Sequence, residues 1–338
     1  MKRIVSILSL TLLIIGITSC DKGSGGKRTF LKNVTGAAGE VVVVLEKEVI
    51  EEPIGKTYRN ILQEEFPMIP QSEPLFTLIM IPPSGFSDMF KSHRNIVITK
   101  VSSEHKEAKI VPQHDVWAAP QTVINVVGPN YSAVKKMLEE EKDRLVQLLE
   151  QAERDRVVQN AMKFEAEGIR HLLKEKFNIS MFFPKGYQMM LDTTNFVWIS
   201  HETPSTSQGV FVYEYSYDDP NTFTKEYLVE KRNEILKQFV PGPTKGSYMT
   251  TASAIPPSFK QLMYKGRYFG QLRGLWDVHA HPMGGPFISL TTIDENRNRV
   301  LTVEGFVYAP RFKKRKYVRQ LEALLYTLTI ENTKENEE

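Results

Sequence analysis

Residues 132–176 constrain the fold more than any other part of this sequence, because they contain no proline and a single glycine, Gly168. Val134, Leu138, Leu145, Leu149 and Ala152 recur within them at helical intervals, with charges at many of the positions between. Ser132 is placed to cap the start. The spacing predicts one long helix, or two with a break near Gly168. The dense charge reads as a solvated helix face.

Strand-type residues flank this segment on both sides. Before it, residues 40–45, 75–81, 95–101 and 116–127 read as strands, residues 55–66 as a short helix ended by Pro67, and Gly128-Pro129-Asn130 as a turn. Val41-Val42-Val43-Val44 is too uniform for a half-exposed strand. After it, residues 181–187, 196–200, 209–217, 261–278, 287–293 and 300–307 read as strands. Leu228, Ile235 and Phe239 make one face of a helix over 224–240, and Tyr317, Leu321, Leu324 and Leu328 the stripe of a last one. Strands in adjacent groups with helices between them predict an α+β fold: two α/β subdomains with largely antiparallel sheets, joined by a long helical segment. The expected boundaries are 31–130 for the N-terminal domain, 131–177 for the connector, 178–330 for the C-terminal domain and 331–338 for a polar tail.

Residues 1–30 carry an address. Lys2 and Arg3 are the only charges before Asp21, and the 14 residues 4–17 are mostly apolar. That run is short of the ~20 residues a membrane-spanning helix needs and suits the core of a signal peptide. Ile17-Thr18-Ser19-Cys20 then resembles the lipobox of bacterial lipoproteins. Small side chains fit a peptidase cutting before Cys20, and the thiol can accept diacylglycerol. Residues 1–19 are therefore expected to be a signal peptide. Residues 20–30 are expected to be a lipidated cysteine with a flexible tether through Gly23-Ser24-Gly25-Gly26. Several acyl chains, at ~0.8 kcal/mol per buried CH₂, make such an anchor durable. Cys20 is the only cysteine, so the lone thiol falls at the expected cut and forms no internal disulfide. The expected location is the cell envelope, lipid-anchored at the outer membrane and facing the periplasm or the surface. Membrane lipid is the first expected partner, and the covalent lipid on Cys20 is the only cofactor-like group. The net charge of +3 falls when Lys2 and Arg3 leave with the signal, so no basic field remains to recruit nucleic acid.

Several motifs add a resemblance. Arg273-Gly274-Leu275-Trp276, Met283-Gly284-Gly285-Pro286-Phe287, Glu304-Gly305-Phe306-Val307-Tyr308-Ala309-Pro310 and Arg319-Gln320-Leu321-Glu322-Ala323 resemble a family of uncharacterised lipoproteins typical of the Bacteroidetes, a domain of unknown function. Trp117-Ala118-Ala119-Pro120-Gln121 is similar to the same family in the first stretch. The resemblance implies location and one coherent fold over nearly the whole mature chain, and it brings no catalytic residues. More loosely, the order of elements after residue 178 is similar to the antiparallel sandwich of photosystem-accessory and nuclear-import adaptor proteins, an analogy of fold alone.

Three clusters could carry chemistry. Asp277, His279 and His281 alternate, and on one strand they would share a face suited to zinc. The plainer reading is a pair of exposed histidines at a strand end. Tyr213, Tyr215 and Tyr217 follow Phe211 at the same spacing and could stack on sugar rings, or could form the core face of a sheet under a helix. Residues 311–319 contain Arg311, Lys313, Lys314, Arg315, Lys316 and Arg319, which suit an anionic surface or, more simply, a solvated helical turn. Asp192-Thr193-Thr194 matches a short acceptor motif for O-glycosylation and equally a polar hairpin turn.

The sequence contains no G-x-S-x-G, H-E-x-x-H, Walker or G-x-G-x-x-G motif, and Pro204 prevents His201-Glu202 from starting a zinc helix. The leading expectation is a non-enzymatic envelope lipoprotein that binds a protein or glycan partner or serves a structural role. The alternative is a hydrolase of envelope polymers or glycans, with a metal at Asp277, His279 and His281.

Overall fold

The computed structural model describes residues 31–331, so the signal segment, Cys20, nearly all of the tether, and the tail after Glu331 lie outside the described residues. The valine run forms β1 (Glu40–Val44), and Val41 to Val44 are all within 2% of complete burial. Next come α1 (Pro53–Leu62), β2 (Thr77–Ile81), β3 (Asn95–Val101), β4 (Lys109–His114) and β5 (Thr122–Gly128). The strands lie side by side in the order β2-β1-β3-β5-β4. Every pairing is parallel except β4 with β5.

The expectation of a largely antiparallel sheet is therefore corrected for this half of the chain. A parallel sheet needs cover on both faces, and its strands read as continuous apolar runs. Tyr58 and Leu62 of α1 cover one face together with Val134, Leu145 and Leu149 of the following helices. Phe86, Phe90 and Trp117 pack on the other, against Val42, Val44 and Ile96.

The helical segment divides into α2 (Tyr131–Glu140), α3 (Lys142–Lys163) and α4 (Ile169–Phe177). Val134, Leu138, Leu145 and Leu149 are fully buried and Ala152 nearly so, as the spacing predicts. Asn130, rather than Ser132, caps the start, its Oδ1 accepting from the Ala133 amide at 2.9 Å. The break falls after Lys163, and Gly168 opens α4 at φ +85°, a conformation that favours glycine.

The second sheet is antiparallel throughout. It comprises β6 (Gln188–Asp192), β7 (Phe196–Glu202), β8 (Ser207–Ser216), β9 (Met249–Thr251), β10 (Ser258–Tyr264), β11 (Arg267–Val278), β12 (His281–Asp294) and β13 (Arg299–Tyr308). The strand order is β9-β11-β12-β13-β8-β7-β6, with β10 also paired to β11. The stretch 261–278, expected as one strand, contains a hairpin. Lys265 and Gly266 both take positive φ (49° and 73°), as a two-residue turn of the primed type requires.

Two helices cover this sheet on opposite faces. α5 (Lys225–Phe239) lies over Phe196, Phe211, Tyr213 and Phe306. α6 (Arg315–Leu325) lies over Val210, Val303 and Val307, and Leu321 sits directly on Gly305. α6 also packs against α3, so one hydrophobic core runs from β1 through Leu145 and Leu149 to Val303. The chain as a whole is α+β. Among the described residues no helix is long and apolar enough to cross a membrane.

Candidate functional site

Where α3 and α6 meet, a cleft of about 660 Å³ opens between the start of β3 and the far ends of β7 and β8. Its lining includes Arg94, Arg156, Lys185, Arg315, Lys316 and Arg319, against one acid, Glu153. Glu153 is buried at 5% exposure and fully engaged. Its oxygens accept from Asn95 Nδ2 at 2.6 Å, Arg156 Nη1 at 3.0 Å and Arg94 Nη1 at 3.1 Å.

The arginines play different parts. Arg156 spends all three nitrogens on the protein. Nε donates to the Pro120 carbonyl at 2.9 Å, Nη2 to the Arg94 carbonyl at 2.7 Å, and Nη1 to both Asn95 Oδ1 and Glu153. It is a brace. Arg315 is likewise committed, to the Pro74 carbonyl and to Thr77 Oγ1. Arg94 and Arg319 differ. Arg94 Nε, Arg319 Nε and Arg319 Nη1 are buried and have no hydrogen-bond partner among the described residues. The Arg319 guanidinium lies over the Phe76 ring, 4.4 Å from its centre, and its Nη2 reaches Glu150 only at 3.4 Å.

Crowded, poorly hydrated positive charge is costly. Burial pulls Arg156, Arg315 and Arg319 below the ordinary arginine pKa, and for Arg315 the neighbouring Arg319 adds to the effect. Glu150, Glu153 and Glu322 offset only part of it at Arg319.

The opposite wall is polar and aromatic. The Tyr187 and His201 rings lie 5.5 Å apart at 32°. Gln208 faces His201 across the β7–β8 pair. It is 7% exposed, and its Oε1 is buried without a partner among the described residues.

The expected sites fare differently. Cys20 lies outside the described residues. Asp277, His279 and His281 do not share one strand. β11 ends at Val278, His279 and Ala280 turn the chain, and His281 opens β12 opposite Val278. His279 instead stacks on Tyr248, ring centres 5.0 Å apart. No group of three His, Cys, Asp or Glu among the described residues could hold a metal ion. The metal expectation is corrected: alternation places residues on one face only while the strand continues, and here it stops.

The tyrosine row is the core face of the sheet under α5. Tyr213 is 3% exposed, packed with Leu228 and Leu236, and Tyr215 packs against the same cluster with Tyr227 of α5 beside it. Tyr217 continues the row half-buried beyond the end of β8. No open aromatic platform for a sugar exists on that strand. Asp192-Thr193-Thr194 forms the β6–β7 hairpin turn, with Thr193 Oγ1 donating to the Phe196 carbonyl.

Sequence reasoning passes over Arg94, Glu153, Arg156 and Gln208. The one signal it holds is the basic run 311–319, which is only in part a solvated turn: Arg311, Lys313 and Lys316 are exposed. Lys314 is 2% exposed, its amide donating to Glu73 Oε1 at 2.5 Å and its Nζ to Gln71 Oε1 at 2.6 Å, while Arg315, Lys316 and Arg319 line the cleft.

A domain of unknown function (DUF8532) matches residues 34–162, and a second (DUF4837) matches residues 167–327. The boundary between them falls at the break between α3 and α4. No curated protein matches the chain. Among solved structures, the Ran-binding protein Mog1p of Saccharomyces cerevisiae is 10% identical, covering 46% of this chain and 92% of its own, at a TM-score of 0.31. The lipid transfer and protein localization domain of human StarD13 is 16% identical, covering 48% and 92%, at a TM-score of 0.23. The chain thus matches two domains of unknown function, one on each side of that break.

Proposed function

We propose that this protein is a lipid-anchored envelope protein, held by Cys20 at the outer membrane, whose body binds an anionic ligand in the arginine cleft without transforming it. One observation carries the binding reading. Six cationic side chains converge on a cleft whose single acid, Glu153, is already satisfied, leaving Arg94 and Arg319 with unspent donors. A buried donor without a partner costs ~1–3 kcal/mol, more when charged, and an anion repays that cost. The volume lies within the roughly 300–1,000 Å³ of small-ligand sites. A hydrolytic reading finds no support here, since Glu153 is tied to Asn95, Arg94 and Arg156 and is not placed to attack or to move a proton. The anchor reading rests on Ile17-Thr18-Ser19-Cys20.

Thermal unfolding of the lipidated protein in detergent tests the cleft. Phosphate, sulfate and glucuronate at matched ionic strength are expected to raise the Tm, neutral glucose is not, and R94Q combined with R319Q should abolish the rise. Equal stabilisation by chloride would remove the basis for a specific site. For the anchor, Cys20→Ser should release the chain from lipid labelling, and continued labelling would refute the assignment.

A further inference from the structure

We infer that the ligand of this cleft is a phosphate ester of a sugar-sized polyol, its phosphate set against Arg94 and Arg319, its hydroxyls against Gln208 and its carbon side against His201. This inference rests on the anion-binding reading above and specifies its ligand class.

Charge is the first argument. A carboxylate brings one negative charge, whereas a phosphate monoester brings about −1.5 to −2 near neutral pH with three acceptor oxygens. With Glu153 consumed by its own partners, Arg94, Arg319, Lys185 and Lys316 still line the cleft. A singly charged ligand leaves most of that positive field unanswered. Guanidinium groups match phosphate oxygens in geometry as well as in charge.

Hydrogen-bond chemistry is the second argument. Gln208 Oε1 is an acceptor, buried and unpartnered among the described residues, on the wall opposite the arginines. Sulfate offers it no proton, and inorganic phosphate near neutral pH only a P–OH on the same group that the arginines hold. A hydroxyl on a carbon frame reaches it independently of that group. The ligand therefore needs donors as well as charge, on one compact frame, and a phosphorylated polyol has both.

Ring surface is the third. Tyr187, 7% exposed, packs against Phe183 and His201, so the half-buried His201 is the ring of the pair with surface at the cleft wall. Gly186 supports that arrangement: it takes φ +99°, and a Cβ there would stand 2.8 Å from His201 Cδ2. Aromatic faces give an apolar contact for the carbon side of a sugar while leaving its hydroxyls to the amides.

The same chemistry occurs in free sugar phosphates and in phosphorylated glycolipid headgroups. Calorimetric titration of the detergent-solubilised lipidated protein separates them, with glucose monophosphate, inorganic phosphate, glucuronate and glucose as soluble probes and lipid A dispersed in the same detergent. Glucose monophosphate or lipid A should bind at least about tenfold tighter than inorganic phosphate or glucuronate, and whichever of the two binds tighter names the source. R319Q or R94Q should weaken that binding by about tenfold or more. Lys185→Ala, at an exposed position, should weaken it several-fold without a folding defect. Q208L should remove the preference over inorganic phosphate while leaving phosphate affinity unchanged. Inorganic phosphate or glucuronate binding as tightly as the sugar phosphate overturns this inference and leaves the anion reading standing. Binding of no anion at all overturns both.

Discussion

Arg232 of α5 and Glu304 of β13 form an ion pair sealed from solvent, their side chains 1% and 0% exposed. Arg232 Nε donates to both carboxylate oxygens at 3.0 and 2.9 Å, and Nη2 to Oε1 at 2.7 Å. The remaining nitrogen, Nη1, donates to Thr251 Oγ1 at 2.8 Å, and the guanidinium lies 3.8 Å from the centre of the Phe287 ring. Burial pushes the Glu304 carboxyl above the ordinary glutamate range, and Arg232 draws it back only in part. Desolvating two ions cancels much of what their attraction returns, so the damaging change is removal of one partner. Arg232→Met is expected to cost about 3–5 kcal/mol. Replacing Glu304 with Leu in the same chain should recover most of that loss. Denaturant unfolding of the parent, single and double variants decides it, and a double variant no more stable than the single would sink the idea.

Glu322 of α6 titrates the other way. Burial alone would raise its pKa, yet contact with Arg273, reinforced by Arg154 and Arg319, holds it below the glutamate value of 4.5. The folded protein therefore keeps this carboxylate charged at pH values where the unfolded chain takes up a proton. The stabilisation is present above the unfolded pKa and is lost as pH falls through the folded one. E322Q should be less stable than the parent at neutral pH, by roughly 1–3 kcal/mol. The gap should close as the pH is lowered to about 3. Melting curves across that range check the sign, and a gap independent of pH would contradict it.

These pairs also mark the limit of what sequence reveals. Periodicity discloses α3 and α5 because burying one face of a helix imposes spacing on neighbouring residues. The same logic discloses that Tyr213 and Tyr215 share a face but not that α5 covers it. It misplaces Asp277, His279 and His281 because the strand turns between them. The uniform run of Val41 to Val44 holds more than it first yields, since a strand apolar on both sides belongs in a parallel sheet covered twice. The cleft is the least legible feature. Arg94 immediately precedes β3, Glu153 and Arg156 lie on α3, and Gln208 is on β8, and no local pattern links them. Only the basic run on α6 hints at it, and composition cannot tell an inward arginine from a solvated one.

Gly285 illustrates a motif glycine whose purpose is spatial. It sits opposite Trp276 in the β11–β12 ladder. A Cβ there would overlap the Val307 backbone carbonyl oxygen and stand 3.1 Å from Trp276 Nε1, the group that donates to that carbonyl at 3.2 Å. Backbone cannot yield as a flexible side chain can. Gly285→Ala should therefore cost roughly 1–3 kcal/mol. It should also shift Trp276 fluorescence to the red as the indole loses its partner and its cover. Unchanged emission with a normal Tm would show that the strands separate freely at this point.

Gln121 connects the fold to the cleft. It is 2% exposed, and its side-chain amide joins three backbone groups. Nε2 donates to the carbonyls of Lys91 at 2.6 Å and His93 at 2.7 Å, and Oε1 accepts from the Trp117 amide at 3.0 Å. The Arg94 carbonyl is held on both sides, by the Thr122 amide at 2.9 Å and by Arg156 Nη2 at 2.7 Å. The residues next to Gln121 and the brace from α3 thus fix the backbone from which Arg94 enters the cleft. Gln121→Leu keeps the bulk and strands these partners, at ~1–3 kcal/mol for each group left buried and unpaired. Stability should fall, and anion affinity should fall with it by several-fold although Gln121 is not part of the cleft lining. Titration at a temperature where the variant is fully folded separates the two effects. Unaltered affinity there would confine Gln121 to the fold, whereas a loss matching that of R94Q would identify it as the residue that positions Arg94.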